Sequence, residues 1–390
     1  METRMTRTFH PVGQGAFYTE QFGREGDGSD FCIVYDCGTK TSQEHVDREK
    51  VVKDALGNSS QPVDILFISH FDEDHVSMIG ELVKSRLIKR VVLPLLPIEE
   101  KAVLQAYYNE VGNDIGRRLL VNPVELFDNE TVVLYVEPSG NEPINLSRNL
   151  VEKTRDLPQD ADVVILKPDG EQVNAGAGQP VSIPSGATIF MPRHSWCYIP
   201  HNYEYPQRHQ DLLNALAKRT DIDSASLGDA SYVDSKLTEL NEVYGSLKGG
   251  INENSMLVYS GPLECPIVRP YLWRSIIWGG CEIDCWREDR PACVYSGDAD
   301  FKKVKIHEVY GSFWKNVGTV QIPHHGSGRS FSADFLDKGD RPYLCPVSTG
   351  YQHCHPSSSV LKDILIRHSF PLLVDYCPSS RLVQLIWYGE

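Results

Sequence analysis

The stretch Ser69-His70-Phe71-Asp72-Glu73-Asp74-His75 places four metal-binding side chains, two histidines and two aspartates, within six residues. It follows residues 63–68, which are apolar except for Asp64 and predict a strand buried on both faces. Ligands from one tight loop can reach two cations about 3.5–4 Å apart, and imidazole mixed with carboxylate suits zinc or manganese. A charged helix start with Asp72 and Asp74 as caps is the alternative, but capping does not explain the two histidines.

Four further polar clusters follow along the chain, the first three of them beside predicted strands. They are Asn252-Glu253-Asn254-Ser255, Ser296-Gly297-Asp298, His324-His325-Gly326-Ser327 and His353-Cys354-His355-Pro356-Ser357. Each is a weak signal alone, because Gly-Asp pairs are common in turns and a single histidine is usually structural. Their order along one chain, after the first cluster, is what makes them informative.

This order of motifs resembles the metallo-β-lactamase superfamily. More narrowly, it resembles the soluble metallo-hydrolase domain of the bacterial competence proteins that form DNA-uptake channels. The narrower resemblance is carried by Val12-Gly13-Gln14-Gly15 and by the predicted strand end Tyr35-Asp36-Cys37-Gly38. It covers residues 9–96 and 250–360, and we expect no membrane channel to accompany this domain.

The resemblance implies an α/β fold, an αββα sandwich of two mixed sheets flanked by helices, with the metal site at one edge between the sheets. We expect residues 1–140 to form the N-terminal half of this domain, residues 141–249 an insertion or elaborated region, and residues 250–390 the C-terminal half. Hydrophobic periodicity predicts helices over 43–56, 75–85, 99–120, 207–219 and 231–244, and composition predicts a loop over 168–186.

The resemblance also implies a role for each motif residue. His70 and Asp72 would bind the first of two divalent metals, and Asp74, His75 and His325 the second, with Asp298 bridging them and Asp36 supporting the site. Asp74, His324 and His355 are the predicted catalytic residues, and Asn254, Ser327 and His355 the predicted substrate contacts.

Two departures from the superfamily concern the first metal. Asp72 stands where most members have a histidine, and Asn252 and Asn254 stand where a third metal-binding histidine is usual. The first metal is therefore expected to be held weakly or to be supplied only with the substrate.

Composition and charge indicate which partners and which cellular location to expect. The chain has 390 residues and a formal net charge of −15, which argues against a general basic surface for nucleic acid. Local lysines and bound metal ions can still supply positive charge at a site. With no apolar run of 18 residues and no signal-peptide pattern at the start, we expect a cytoplasmic protein without membrane contact.

These features favour a phosphodiesterase or nuclease that acts on nucleic acid or a nucleotide. One alternative is hydrolysis of an ester, lactone or thioester by the same site. Another is a non-catalytic, metal-stabilised module that binds a protein partner of a larger system. Residues 193–205, rich in aromatics with Arg and His, are either a base-stacking surface or a packed segment with aromatic anchors.

Overall fold

The computed structural model describes residues 2–24, 29–57, 60–145, 147–247, 255–263, 273–278, 281–283, 290–350 and 355–389. The predicted motif residues Asn252, Glu253, Asn254, His353 and Cys354 lie outside these ranges.

The strands, in chain order, are β1 (Glu2–Phe9), β2 (Gly15–Arg24), β3 (Ser29–Thr39), β4 (Ile65–Phe67), β5 (Arg90–Pro94), β6 (Val132–Val136), β7 (Pro138–Ser139), β8 (Val164–Leu166), β9 (Gln172–Val173), β10 (Val181–Ile183), β11 (Thr188–Met191), β12 (Trp196–Tyr203), β13 (Met256–Gly261), β14 (Trp273–Trp278), β15 (Cys281–Ile283), β16 (Ala292–Tyr295), β17 (Val317–Val320), β18 (Leu344–Ser348), β19 (Phe370–Val374) and β20 (Leu382–Gly389). The α-helices are α1 (Arg48–Leu56), α2 (Glu73–Val76), α3 (Ile79–Ser85), α4 (Ile98–Val111), α5 (Asp114–Val121), α6 (Arg148–Asp156), α7 (Pro206–Ala217), α8 (Ala230–Ser235), α9 (Leu237–Ser246), α10 (Ile306–Val309) and α11 (Ser358–Ile366).

The strands form two mixed sheets. The order in the first is β10-β6-β5-β4-β3-β2-β1-β20-β14-β15, with parallel pairing from β10 to β3 and antiparallel pairing beyond. The order in the second is β19-β18-β17-β16-β13-β12-β11-β8-β9, parallel from β19 to β16 and antiparallel beyond, with β7 beside β12. Each sheet thus has a parallel half whose strands end at one edge.

Three apolar clusters hold the layers together. One lies between the sheets, and the other two lie beneath the helices on the outer face of each sheet. In β4, Ile65 and Phe67 join the cluster between the sheets, whereas Leu66 points to the helices. Successive residues of β4 must therefore be apolar. The four layers, helices outside and two sheets inside, agree with the predicted αββα sandwich.

The structure corrects several predicted elements. The helix predicted over 75–85 is two helices, α2 and α3, with a break at Met78, and the one predicted over 99–120 is divided at Gly112, whose φ is +74°. The loop predicted over 168–186 contains β9 and β10. Short strands of this kind have too few residues to show a periodic pattern.

Residues 193–205 contain β12, a buried strand within the second sheet. The Trp196 indole donates to the Ser260 hydroxyl, and the Tyr198 hydroxyl donates to Glu20. Trp196 and Tyr198 are thus core anchors, as one of the two alternatives expected, and they are not available as a base-stacking surface.

The segment 141–249 contributes to both sheets, through β10 in the first and β8, β9, β11 and β12 in the second. Among the described residues, no helix combines the length and the apolar character needed to cross a bilayer.

Candidate metal centre

The motif residues meet at the edge where the parallel strands end. The segment 69–75 follows β4, Asp298 follows β16, and His324 and His325 follow β17. Asp36 lies on β3, beside β4. Ligand sites of layered α/β folds commonly form at the carboxyl ends of such strands.

Helix α2 begins directly after Asp72 and carries Asp74 and His75 inward. The Asp72 side chain makes no cap hydrogen bond to this helix, and its Oδ1 instead accepts a hydrogen bond from the Tyr108 hydroxyl at 2.9 Å. The capping interpretation therefore does not describe what the Asp72 carboxylate does.

Helix α2 packs against a glycine of β3. A Cβ atom on Gly38 would lie 2.4 Å from Val76 N, 2.5 Å from His75 C and 2.7 Å from Asp74 C. Only a glycine lets the strand approach the helix backbone this closely. The Asp36-Cys37-Gly38 motif thus sets the position of two candidate ligands.

His75 is oriented by Asp36, which is fully buried. The ring Nδ1–H donates to Asp36 Oδ2 at 2.8 Å, and the same carboxylate accepts from the Ser69 amide and hydroxyl, both at 2.7 Å. This bond fixes the tautomer, so Nε2 of His75 faces Asp298 Oδ1 at 3.2 Å.

His70 presents its Nε2 in the same direction. His70 Nδ1 lies 3.0 Å from the Ser69 hydroxyl, whose single proton goes to Asp36, and 3.1 Å from the Ser255 hydroxyl. Nε2 of His70 then lies 3.9 Å from Asp298 Oδ2. Asp298 is in turn placed by its amide, which donates to the Ser255 hydroxyl at 2.9 Å.

His325 completes the arrangement from the other sheet. Its Nδ1–H donates to the Ser348 carbonyl at 3.1 Å, which leaves Nε2 facing Asp74 Oδ2 at 3.3 Å. Asp36, His324 and His325 are non-glycine residues with φ of 50–54°, in the left-handed region. Such strained backbone clusters at functional sites, where the surrounding structure holds it in place.

Within the described parts of the chain, two groups of side chains have ligand atoms within 4.8 Å of one another, His70/His75/Asp298 and Asp74/His75/His325. Their donor atoms fit a divalent cation. Nε2 of His70, Nε2 of His75 and Oδ1 of Asp298 are buried without a hydrogen bond of good geometry. Because ring nitrogens here face carboxylate oxygens, a cation that replaces any proton between them satisfies both.

The second metal's predicted ligands, Asp74, His75 and His325, form one of these groups. For the first metal, His70 and Asp298 converge, whereas Asp72 belongs to neither group. His75 is common to both groups, and because its Nδ1 is bonded to Asp36, its Nε2 can bind only one cation at a time.

Charge in the centre follows from this packing. Burial opposes a proton on His75, but the carboxylates of Asp298 and Asp36 raise its pKa well above the usual value. Burial and the neighbouring His75 lower the pKa of His70 well below its usual value. Burial also disfavours the charge on Asp298, yet the surrounding histidines hold its pKa well below the usual range.

The remaining predicted residues lie on one side of the centre. His324 is 39% exposed, and its Nε2 is 3.8 Å from Asp298 Oδ2. The His355 ring centroid is 6.2 Å from that of His324. Ser327 is buried, and its hydroxyl accepts from the Arg329 amide at 3.3 Å, so it acts within its own loop.

The sequence interpretation did not include Lys40, whose Nζ donates to Asp74 Oδ1 at 2.9 Å. Partial burial lowers the pKa of Lys40, but Asp74, Asp72 and Asp298 raise it further, so the net shift is upward. Tyr108, the partner of Asp72, was also missed. Neither residue belongs to a metal-binding pattern, so no sequence signal pointed to them.

Residues 25–139 match the family described as the metallo-beta-lactamase superfamily. This segment includes the first motif and α2 but not Asp298 or His325. The match is to the superfamily, so the narrower resemblance to competence proteins stays a prediction. No curated protein matches the chain significantly. Two mixed sheets flanked by helices are consistent with the metallo-β-lactamase fold, and the family match with the His/Asp groups suggests a metal-dependent hydrolase.

Proposed function

We propose that the protein is a metal-dependent phosphodiesterase acting on a nucleic acid or nucleotide. The observation that carries the proposal is the imidazole pair His324 and His355, which belongs to neither ligand group. His324 Nε2 lies 3.8 Å from Asp298 Oδ2, and the His355 ring lies 6.2 Å from the His324 ring, centroid to centroid. Cleavage of a phosphodiester leaves a poor alkoxide leaving group, and positioned imidazoles are the usual proton donors for such a step.

Each side chain has a separate task in this proposal. Asp74, His75 and His325 hold a cation, with His70 and Asp298 beside them. A bound divalent metal supplies a nucleophile near neutral pH and stabilises charge on the phosphoryl oxygens. His324 is held by its Nδ1, 3.3 Å from the Ser330 hydroxyl, and directs its Nε2 towards Asp298. It can therefore donate a proton or a hydrogen bond to a group bound there.

The predicted protein partner and nucleic-acid substrate remain part of this proposal. The net charge of −15 means that attraction of a polyanion must be local, through bound cations and basic residues at the centre.

The proposal is tested with a substrate panel and measured metal content. Purified protein loaded with zinc or manganese is given bis(p-nitrophenyl) phosphate, single- and double-stranded DNA, p-nitrophenyl acetate, a lactone and a thioester. We expect phosphodiester cleavage that stops on chelation. His324→Ala should keep its metal and lose about 10²–10⁴-fold in rate, the usual contribution of a positioned acid or base.

Asp74→Ala should abolish cleavage while circular dichroism shows an intact fold. The matched control is Glu73→Ala, which removes an exposed carboxylate from the same helix. Turnover of acyl substrates alone would replace the proposal with the ester, lactone or thioester alternative. Undiminished cleavage by a folded Asp74→Ala variant would refute it.

A further inference from the structure

Lys40 projects from a firmly held turn after β3. Its amide donates to the Gln14 carbonyl at 2.7 Å, and the Gln14 amide donates to the Thr41 hydroxyl at 2.9 Å. The Thr39 hydroxyl donates to the Val12 carbonyl at 2.6 Å. The loop carrying Val12 and Gln14 thus fixes the backbone from which the Lys40 side chain starts.

The Lys40 ammonium uses one donor within the protein. Asp74 Oδ1 accepts it, while the other oxygen of the same carboxylate faces His325. No other hydrogen-bond partner of this ammonium occurs among the described residues. An ammonium has three donors, so further N–H groups are available to a ligand.

Exposure separates Lys40 from the candidate ligands. Its side chain is 41% exposed, whereas that of Asp74 is 7% exposed. Lys40 therefore reaches from the buried carboxylate to the solvent, where a substrate enters. A protonated lysine has no lone pair and cannot bind a metal. Two roles remain, the positioning of Asp74 and contact with an anion.

We propose that Lys40 is a substrate contact that binds a non-bridging oxygen of the phosphoryl group. With a cation held at the centre, the charge of Asp74 would be shared with that cation, and the Lys40 ammonium would be left to attract an anion. The inference rests on the proposed phosphodiesterase function, whose phosphoryl group would lie between the cation and this ammonium. Hydrogen bonds between an ammonium and phosphate oxygens are charge-assisted and stronger than neutral ones.

The test measures binding of inorganic phosphate to the metal-loaded protein by titration calorimetry, with metal content determined on the same samples. We expect Lys40→Met to keep its metal and to weaken phosphate binding at least about tenfold, equivalent to about 1.4 kcal/mol. Lys40→Arg, which keeps the charge, should retain most of the affinity. In turnover, Lys40→Met should raise KM for bis(p-nitrophenyl) phosphate.

Lys89 offers a matched control. It is also 41% exposed and pairs with a buried carboxylate, with its Nζ 2.7 Å from Asp64 Oδ1. Lys89→Met should leave phosphate affinity unchanged. If fully metal-loaded Lys40→Met binds phosphate as tightly as the wild type, the inference is wrong and Lys40 only positions Asp74.

Failure of the proposed function gives a different result. A wild-type protein that binds phosphate through Lys40 but cleaves no phosphodiester would overturn the phosphodiesterase proposal and leave the anion contact standing. If the wild type cleaves phosphodiesters but Lys40→Met leaves phosphate affinity unchanged, the phosphodiesterase proposal stands and the anion contact of Lys40 is wrong.

Discussion

The contact between Gly38 and helix α2 gives the sharpest prediction of how the fold controls the site. A Cβ at position 38 would lie 2.4–2.7 Å from three backbone atoms of residues 74–76. That is roughly 1 Å short of ordinary carbon contacts, which begin near 3.5 Å. Because the obstacle is backbone, no side-chain rotation relieves it, and α2 must move with Asp74 and His75. We expect Gly38→Ala to cost about 1–3 kcal/mol in the free energy of unfolding.

The same displacement should weaken metal binding by about 10–100-fold, the usual effect of disturbing the groups that support metal ligands. Urea unfolding and zinc titration measure the two quantities. Gly80→Ala is the matched control, since Gly80 lies in α3 and a Cβ there meets nothing within 4 Å. That change should be neutral or stabilise by up to about 1 kcal/mol. Wild-type stability and zinc affinity in Gly38→Ala would refute the reasoning.

Three further predictions concern the ligands and their supports. Tyr108→Phe removes the hydroxyl that donates to buried Asp72 and should lower the free energy of unfolding by about 1–3 kcal/mol. Urea unfolding measures this change, and an unchanged midpoint would show that the hydrogen bond contributes nothing to stability. Asp36→Asn keeps the side-chain size but removes the charge that orients His75, and calorimetry should show zinc affinity reduced by about 10–100-fold. Because the pKa of His75 is raised well above its usual value, a metal must displace a proton there. Zinc affinity should therefore rise with pH, by up to about tenfold per unit until that pKa is passed, and a flat profile from pH 6 to 8 would contradict this.

Sequence patterns predicted the elements whose burial determines the type of several consecutive residues. Residues 63–68, just before Ser69, could be predicted as a buried strand. β4 within them is buried on both faces and must be apolar at successive positions. β12 was missed because its aromatic residues resemble a binding surface, and only pairing with β11 and β13 shows that they are buried. β9 and β10 depend entirely on partners that are distant in sequence.

The candidate site likewise combines residues that a local motif reveals with residues that only the fold brings together. A dense motif such as His70-x-Asp72-x-Asp74-His75 indicates metal binding by itself, because few other roles need those side chains together. The role of Asp72 was not visible, since its partner Tyr108 lies on α4 and is 36 residues away. Lys40 was missed for a related reason, as a lone lysine carries no signal until the fold places it beside Asp74.

The central claim is that Asp74, His75 and His325 hold a catalytic divalent cation. The most direct test is anomalous diffraction from zinc- or manganese-loaded crystals. We expect a peak within bonding distance of Nε2 of His75, Nε2 of His325 and a carboxylate oxygen of Asp74. A fully loaded crystal with no peak at these three atoms would contradict it.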